Sequence, residues 1–388
     1  MDLNIGIVLN FKSAEKKKDE LLKITEHDYL KLANDPKYSD YVITRKGSIC
    51  VPADVAIGLY IESLPKNDQF NIVIDYIKPD EISLARFKKN DIVLIIIYDL
   101  LECFHLGSTA NFNKFKHALK NSGNVYPPYE YQKFVNNKCT YYKYLSDKKI
   151  PVAPTHCITK YKWNKRDSDV YVGKLLSKIK NNKWDSVIAK PVYGQESKDF
   201  AKFMSKAECT TETACSKQVC QSSLFCQKNR LKRYLSKNIP KYKSIIIQEY
   251  IPGFDRENPE IRTYFIDGIY AYSIVTTKTI VERPVQEGGK YRISPQNWNF
   301  IMKFAQRVMD SLPKLDLPGL HRNPILTRID IGSGLHGVPK GYFVNEVEFV
   351  PSLYIEDQDF PVVEQIAQSL LFVAMEYYFS KGKVKVKF

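Results

Sequence analysis

Along the first third of the chain, short apolar runs alternate with charged stretches. Ile5 to Leu9, Ile72 to Ile77 and Ile92 to Tyr98 read as buried strands, being continuously apolar and too short for helices. Between them Ala14 to Leu32 and Ile82 to Asn90 carry helical spacing, so residues 1–126 predict a small α/β domain with partly parallel strands. A second zone, 127–250, opens with a helical segment, Tyr131 to Asp147, and a proline-marked lead-in, Ile150 to Thr155. Strands are expected at Ser186 to Lys190 and Ser244 to Tyr250. Between them Ser205 to Lys243, rich in Cys, Ser, Thr and Lys, reads as an insertion of helix plus loop.

The third zone, 251–388, returns to strands at Arg262 to Phe265, Ile269 to Thr276, Pro324 to Ile331 and Gly341 to Val350. Helices are expected at Trp298 to Ser311 and Pro361 to Tyr378. The tail Lys381 to Phe388 is either a short edge strand or a frayed basic end. No repeat at a solenoid period is visible.

Composition narrows the classes. With 44% hydrophobic and 13% aromatic residues in 388, the chain can fill two or three cores. The longest apolar run, Ile92 to Ile97, is far short of the roughly 20 residues of a membrane span. With no basic leader in MDLNIGIVLNF, a cytoplasmic protein without membrane contact is expected. The net charge of +15 suits an anionic partner, and equally the drift of a Lys-, Asn- and Ile-rich composition. The basic residues read as dispersed along the chain, and nothing resembles a nucleic-acid-binding motif, so no specific nucleic acid is expected. Among the eight cysteines, Cys209, Cys215, Cys220 and Cys226 miss the tight spacing of a zinc knuckle. Cys50, Cys103, Cys139 and Cys157 are expected as separate buried thiols.

The chemistry concentrates in the third zone. A strand at Pro324 to Ile331 puts Arg328 and Asp330 on one face, with Thr327, Ile329 and Ile331 on the other. In Tyr342 to Pro351, Glu346 and Glu348 share a face with Val344 and Val350, and Asn345 falls opposite with Phe343 and Val347. Neighbouring strands would gather Asp330, Glu346 and Glu348, which is costly without a cation and suits Mg2+. Upstream, Val187 to Ser197 is a strand ending in Lys190, followed by a glycine-bearing turn; a lysine so placed can meet a phosphate while turn amides cover the rest. Ile245 to Gly253 leaves a buried strand through Gln248 and Glu249, whose polar groups could meet an adenine edge.

In this order the motifs resemble those of the ATP-grasp superfamily, which includes D-alanine:D-alanine ligase, glutathione synthetase and RimK-like ligases. The match covers roughly residues 120 to 356, and the N-terminal zone fits by position and pattern. The resemblance implies an α+β ATP-grasp fold behind a Rossmann-like pre-ATP-grasp domain, with ATP and Mg2+ (or Mn2+) between two lobes. It implies phosphate contacts for Lys138 and Lys190, and a loop over the γ-phosphate at Gly194, Gln195 and Ser197. Gln248, Glu249, Tyr250 and Ile251 resemble the adenine-binding linker. Glu260 is implied for the ribose and Arg262 for phosphate or substrate. Asp330, Glu346 and Glu348 resemble the metal triad, and Arg328 the arginine that stabilises a tetrahedral intermediate, with Lys190 beside it in catalysis.

The final metal strand departs from the family by reading Glu346-Val-Glu348 in place of Glu-x-Asn, a charged ligand for a neutral one. The activity implied is amide or peptide bond formation between a carboxylate and an amine through an acyl phosphate. The alternative is a kinase of the inositol phosphate kinase type, which would need a basic pocket; Arg262, Lys278, Arg283, Lys290 and Arg292 are its candidates. A homodimer is the common case for such proteins.

Overall fold

The computed structural model describes residues 2–9, 21–23, 36–45, 47–64, 71–96, 110–163, 166–194, 199–204, 223–253, 257–277, 281–317, 320–349, 351, 353, 362–379 and 385–387. The first elements are β1 (Asp2–Val8), β2 (Leu21–Lys23), β3 (Ile43–Arg45), β4 (Ser48–Pro52), α1 (Ala53–Ser63), β5 (Asn71–Ile77), α2 (Leu84–Lys88), β6 (Ile92–Ile95), α3 (Ala110–Asn121) and β7 (Val125–Tyr126). β5, β1, β6 and β7 form a wholly parallel sheet in that order; β1, β6 and β7 are buried as their apolar runs require, while the edge strand β5, expected to be buried, is so only at Ile77. One expectation fails here. Leu21–Lys23, inside the segment read as helix, is a strand paired with β4 in a three-stranded ladder with β3, because Leu21 and Leu22 find partners in Pro52 and Val51. The other residues of that segment, 14–20 and 24–32, lie outside the described ones.

Next come α4 (Tyr129–Val135), α5 (Lys138–Asp147), β8 (Thr155–Thr159), α6 (Ser168–Asn181), β9 (Ser186–Pro191), β10 (Ala201–Met204), α7 (Ser223–Asn238) and β11 (Ser244–Glu249). The single helix expected from Tyr131 to Asp147 is two helices. Asn137 leaves the helical region (φ −94°, ψ 93°), and its side chain accepts from the Thr140 amide at 3.1 Å, capping α5. That break sets Lys138 at the start of a helix. β10, β9, β11 and β8 form an antiparallel sheet. On one face Val187, Ala189, Ile245 and Ile247 pack with Val172 and Leu175 of α6 and Leu231 and Leu235 of α7, a core of its own. Strand alternation turns Lys190 and Gln248 to the other face. Cys139 and Cys157, expected as separate thiols, are a disulfide joining α5 to β8, and Cys50 is a buried thiol outside any disulfide. Cys103, Cys209, Cys215 and Cys220 lie outside the described residues.

The last elements are β12 (Glu260–Ile266), β13 (Ile269–Thr276), β14 (Val281–Glu282), α8 (Pro295–Ser311), β15 (Lys314–Leu317), β16 (Leu320–Arg322), β17 (Leu326–Gly332), β18 (Phe343–Glu348), α9 (Val362–Phe379) and β19 (Lys385–Lys387). Ser294 caps α8 by accepting from the Asn297 amide at 3.2 Å, ahead of Pro295 in the first turn. β14, β13, β12, β17 and β18 make an antiparallel sheet. The tail resolves as an edge strand: β19 pairs with β15. A large core runs from β1, α1 and β6 through α4 and α5 to β12, β17, α8 and α9, so α9 packs back on the N-terminal sheet. No helix among the described residues is long and apolar enough to cross a membrane.

Candidate active site

β17 lies between β12 and β18, and the ladder fixes who meets whom. Arg328 pairs across with Tyr264 and Glu348, and Asp330 with Arg262 and Glu346. All these side chains share the face that alternation predicts. Arg328 donates from Nε to Asp330 Oδ1 (2.7 Å) and from Nη2 to Asp330 Oδ2 (2.8 Å), and a second ion pair reaches Glu348 Oε1 at 3.0 Å. Both Arg328 and Asp330 are buried, at 5% and 2% exposure, so the bidentate pair works in a low dielectric.

Glu346 is where two parts of the chain meet. Its Oε1 lies 3.5 Å from the Nζ of Lys138, at the start of α5, and 3.5 Å from the Nζ of Lys190, at the end of β9. Lys138 also donates to the Gly194 carbonyl at 2.9 Å, tying the helix start to the turn after β9. Lys190 donates to the Tyr142 hydroxyl at 3.4 Å and stands over that ring, 5.7 Å from its centroid. Tyr142 in turn donates to the Asn345 carbonyl.

The carboxylates divide by their surroundings. Burial favours the neutral acid at Glu346, but Lys138, Lys190 and Arg328 outweigh it and hold the group at about 2. At Glu348 burial, with Asp330 and Glu346 beside it, outweighs Arg328 and raises the group to about 7. Glu260 rises to about 7 by burial and the nearby Asp330. For Lys190, burial would lower the ammonium, but Tyr142 and Glu346 hold it above the ordinary lysine value.

The signs make a prediction. Glu348 and Glu260 take up protons on folding between about 4.5 and about 7, so their contribution to stability falls as pH rises through that window. Glu346 has the opposite sign, and its stabilisation is lost as pH falls from about 4.5 towards about 2. Denaturant unfolding of the Glu348→Gln variant should therefore show a shallower loss of stability from pH 5 to pH 7 than the wild type; parallel curves would remove Glu348 from this role.

Alternation misplaces one residue. The register shifts between Asp330 and Ile331, so Asp330 faces Glu346 and Ile331 faces Val344, leaving Asn345 as the extra residue of a bulge. Its amide therefore reaches the site face and donates to Glu260 Oε2 at 2.6 Å. The only signal in the sequence is an asparagine inside an apolar strand, where that residue is disfavoured. Tyr142, the other residue missed, carries no sequence signal beyond helical spacing from Lys138.

The remaining expected residues fall at two places. Glu260 accepts from Arg262 Nε at 2.9 Å, so this pair closes on itself beside Asp330. Gln248 is buried and donates to Thr155 Oγ1 at 2.9 Å, which turns its amide onto β8. The Glu249 amide donates to Pro154 and the Tyr250 amide to Ser186, each at 2.9 Å. Ile251 packs with Ala153, Leu335 and Phe343, bringing this linker against the loop after β17. That loop carries exposed His336, and burial raises the Glu249 carboxyl above its ordinary value. Gln195 and Ser197 lie outside the described residues, as does Lys278. Lys290 and Arg292 are exposed on the segment after β14.

One ligand oxygen from each of Asp330, Glu346 and Glu348 lies within 4.8 Å of the others. Three hard oxygen donors this close together, with Glu348 raised by burial and by the like charge of the other two, fit a divalent cation such as Mg2+. If Lys190 meets phosphate, Lys190→Met should weaken ATP by about tenfold or more, the order of one charge-assisted hydrogen bond, and leave adenosine unchanged. Equal losses for both, measured by calorimetry, would move Lys190 off the phosphates.

No family model matches the sequence, and no curated protein is similar to it. Solved structures are similar in fold. D-cycloserine synthetase DcsG is 15% identical with a TM-score of 0.59, over 96% of this chain and 99% of that one. D-alanine–D-alanine ligase from Bacillus anthracis, complexed with ATP, is 12% identical with a TM-score of 0.51, over 97% and 98%. A RimK domain ATP-grasp protein from Sphaerobacter thermophilus is 12% identical with a TM-score of 0.50, over 81% and 94%. The parallel N-terminal sheet, the two antiparallel sheets and these near end-to-end likenesses agree: the chain has the ATP-grasp fold.

Proposed function

We propose that the protein is an ATP-dependent ligase that joins a carboxylate to an amine through an acyl phosphate. The observation that carries this reading is the convergence on Glu346 of Lys138 and Lys190 from one side and the Arg328–Asp330 pair from the other. Transfer of a phosphoryl group to a carboxylate needs positioning and charge neutralisation above all, and the site consists of cations and metal-ligating oxygens. The fold likeness to a D-alanine–D-alanine ligase and a D-cycloserine synthetase supports it.

In this reading Lys138 and Lys190 bind and orient phosphate oxygens, and the turn from Gly194 through Gln195 and Ser197 covers them. Asp330, Glu346 and Glu348 hold Mg2+, which supplies charge neutralisation at the transferring group. Gln248, Glu249, Tyr250 and Ile251 line the adenine side, and Glu260 and Arg262 serve ribose or substrate. Arg328 faces the acyl carbon and stabilises the oxyanion that forms when the amine attacks; phosphate then leaves and the amide remains. With this goes a division of the chain into a pre-ATP-grasp domain (1–126), an N-terminal lobe with an insertion at 205–243 (127–250), and a C-terminal lobe with the metal site (251–388).

Labelled ATP tests the proposal. Mixed with Mg2+ and pools of amino acids, peptides, polyamines and inositol phosphates, the protein should release γ-phosphate only when both a carboxylate and an amine are present. Label retained on an organic product would mean a kinase and would overturn the ligase reading.

A further inference from the structure

The charge of the chain is not spread evenly. Residues 155–249 hold 20 lysines and arginines against 8 acidic residues, while the other 293 residues hold 38 against 35. Drift in composition would enrich lysine everywhere, so the concentration in one lobe needs another reason. Helices α6 and α7 together carry eight cationic side chains and one acid, Asp169, which takes Lys228 (3.8 Å) and Lys232 (2.5 Å). These helices cover the sheet face opposite Lys190, so the basic layer lies on the back of the lobe, away from the candidate active site.

The densest part follows the edge strand β8. Lys178 of α6 brings its Nζ to 3.1 Å from His156 Nδ1, and Lys162 lies close enough to act on the same ring. Burial and these two lysines push the imidazole below its ordinary value. The Lys160 amide donates to the Lys243 carbonyl at 2.9 Å, which sets those two residues side by side. Burial, with Lys116 and Lys133, lowers the Lys243 ammonium in turn. Among the described residues none of Lys162, Lys178 and Lys243 lies within ion-pair reach of a carboxylate. Cations gathered this way repel one another and gain only when an external anion neutralises them.

An aromatic ring stands in the middle of this edge. Tyr161 occupies the turn Lys160–Lys162 at 100% exposure, between two lysines and directly after β8. A fully exposed ring flanked by cations is what a base needs for stacking while its phosphates are neutralised on either side. An acidic peptide would use the lysines and leave the ring idle.

We propose that the β8 edge, with Tyr161 and the basic face of α6, binds single-stranded nucleic acid without sequence preference. The lysines track the backbone and Tyr161 stacks on a base, so the affinity combines a salt-dependent part with a part that salt does not touch.

The test is fluorescence anisotropy of the full chain with labelled single-stranded 20-mers of RNA and DNA over a range of salt. Lys160→Glu/Lys162→Glu/Lys178→Glu should weaken binding by at least tenfold and reduce the salt slope by about 2, from roughly 0.7 per phosphate contact. Tyr161→Ala should cost about fivefold or more at an unchanged slope. A control that reverses the same charge on exposed lysines elsewhere, Lys88→Glu/Lys89→Glu/Lys303→Glu, should have a much smaller effect. Equal losses in the control would reduce the interaction to net charge and overturn the proposal. So would an unaffected Tyr161→Ala, or capture by phosphatidylserine vesicles with no binding of the oligonucleotides. Unfolding curves check each variant, and if charge reversal disrupts the lobe, the glutamine versions of the three lysines carry the same reading.

Discussion

Asp330→Asn and Glu346→Gln should each abolish the magnesium-dependent part of the stabilisation that ATP gives the protein. A ligand at 100 times its dissociation constant stabilises by about 2.7 kcal/mol, and that increment is what these variants should lose when thermal unfolding is followed with ATP, with and without Mg2+. The two variants reach the same end by different routes. Asp330→Asn leaves Arg328 with Glu348 alone and takes one charge from the ligand set. Glu346→Gln removes the carboxylate shared by Lys138 and Lys190, so it should also lower the stability of the unliganded protein. Unchanged melting shifts in both variants would sink the metal assignment.

Arg328→Met should be the most destabilising single change at the site. The guanidinium is buried and neutralises two carboxylates at 2.7–3.0 Å. Removing one partner from such a group costs about 3–5 kcal/mol, because the charges left behind have no water to turn to. Chemical unfolding of the unliganded variant should show a loss of that order. Mg2+ should restore part of it in the variant while adding less to the wild type, since the ion replaces the missing positive charge. A variant as stable as the wild type, or one indifferent to Mg2+, would mean that losing the guanidinium leaves no uncompensated charge at the site.

The strands that build the site were readable because their apolar faces leave no other fold. Phe343 and Val347 on one strand and Ile329 and Ile331 on the other demand burial, and alternation then delivers Arg328, Asp330, Glu346 and Glu348 to a shared face. Strict alternation fails at Asn345, where one extra residue in the ladder turns an amide towards Glu260; a bulge is a tertiary compromise that pattern alone does not reveal. Helix α6 has its signal in Val172, Leu175 and Ile179 at helical spacing, within a stretch otherwise dominated by Lys, Asp and Asn. The break between α4 and α5 also had a signal, since Asn136-Asn137 is a capping sequence that the apolar periodicity on both sides conceals. The Cys139–Cys157 disulfide could not be read, because the two cysteines are 18 residues apart on elements that only the fold brings together. The basic edge escaped for a similar reason: lysines scattered over residues 116 to 243 gather only when β8, α6 and their neighbours pack.

Glu346 carries a consequence beyond its place in the triad. In the unliganded protein its carboxylate sits where Lys138 and Lys190 would otherwise face each other, and it is held ionised by them. In the proposed function it stands in for phosphate. If nucleotide binds here as proposed, it does so by an exchange of counter-ions: the lysines would trade a carboxylate for phosphate oxygens, and the carboxylate would trade lysines for a metal. Each partner is released only as the other arrives, so ATP and Mg2+ should bind with strong mutual cooperativity, and either one alone should bind weakly.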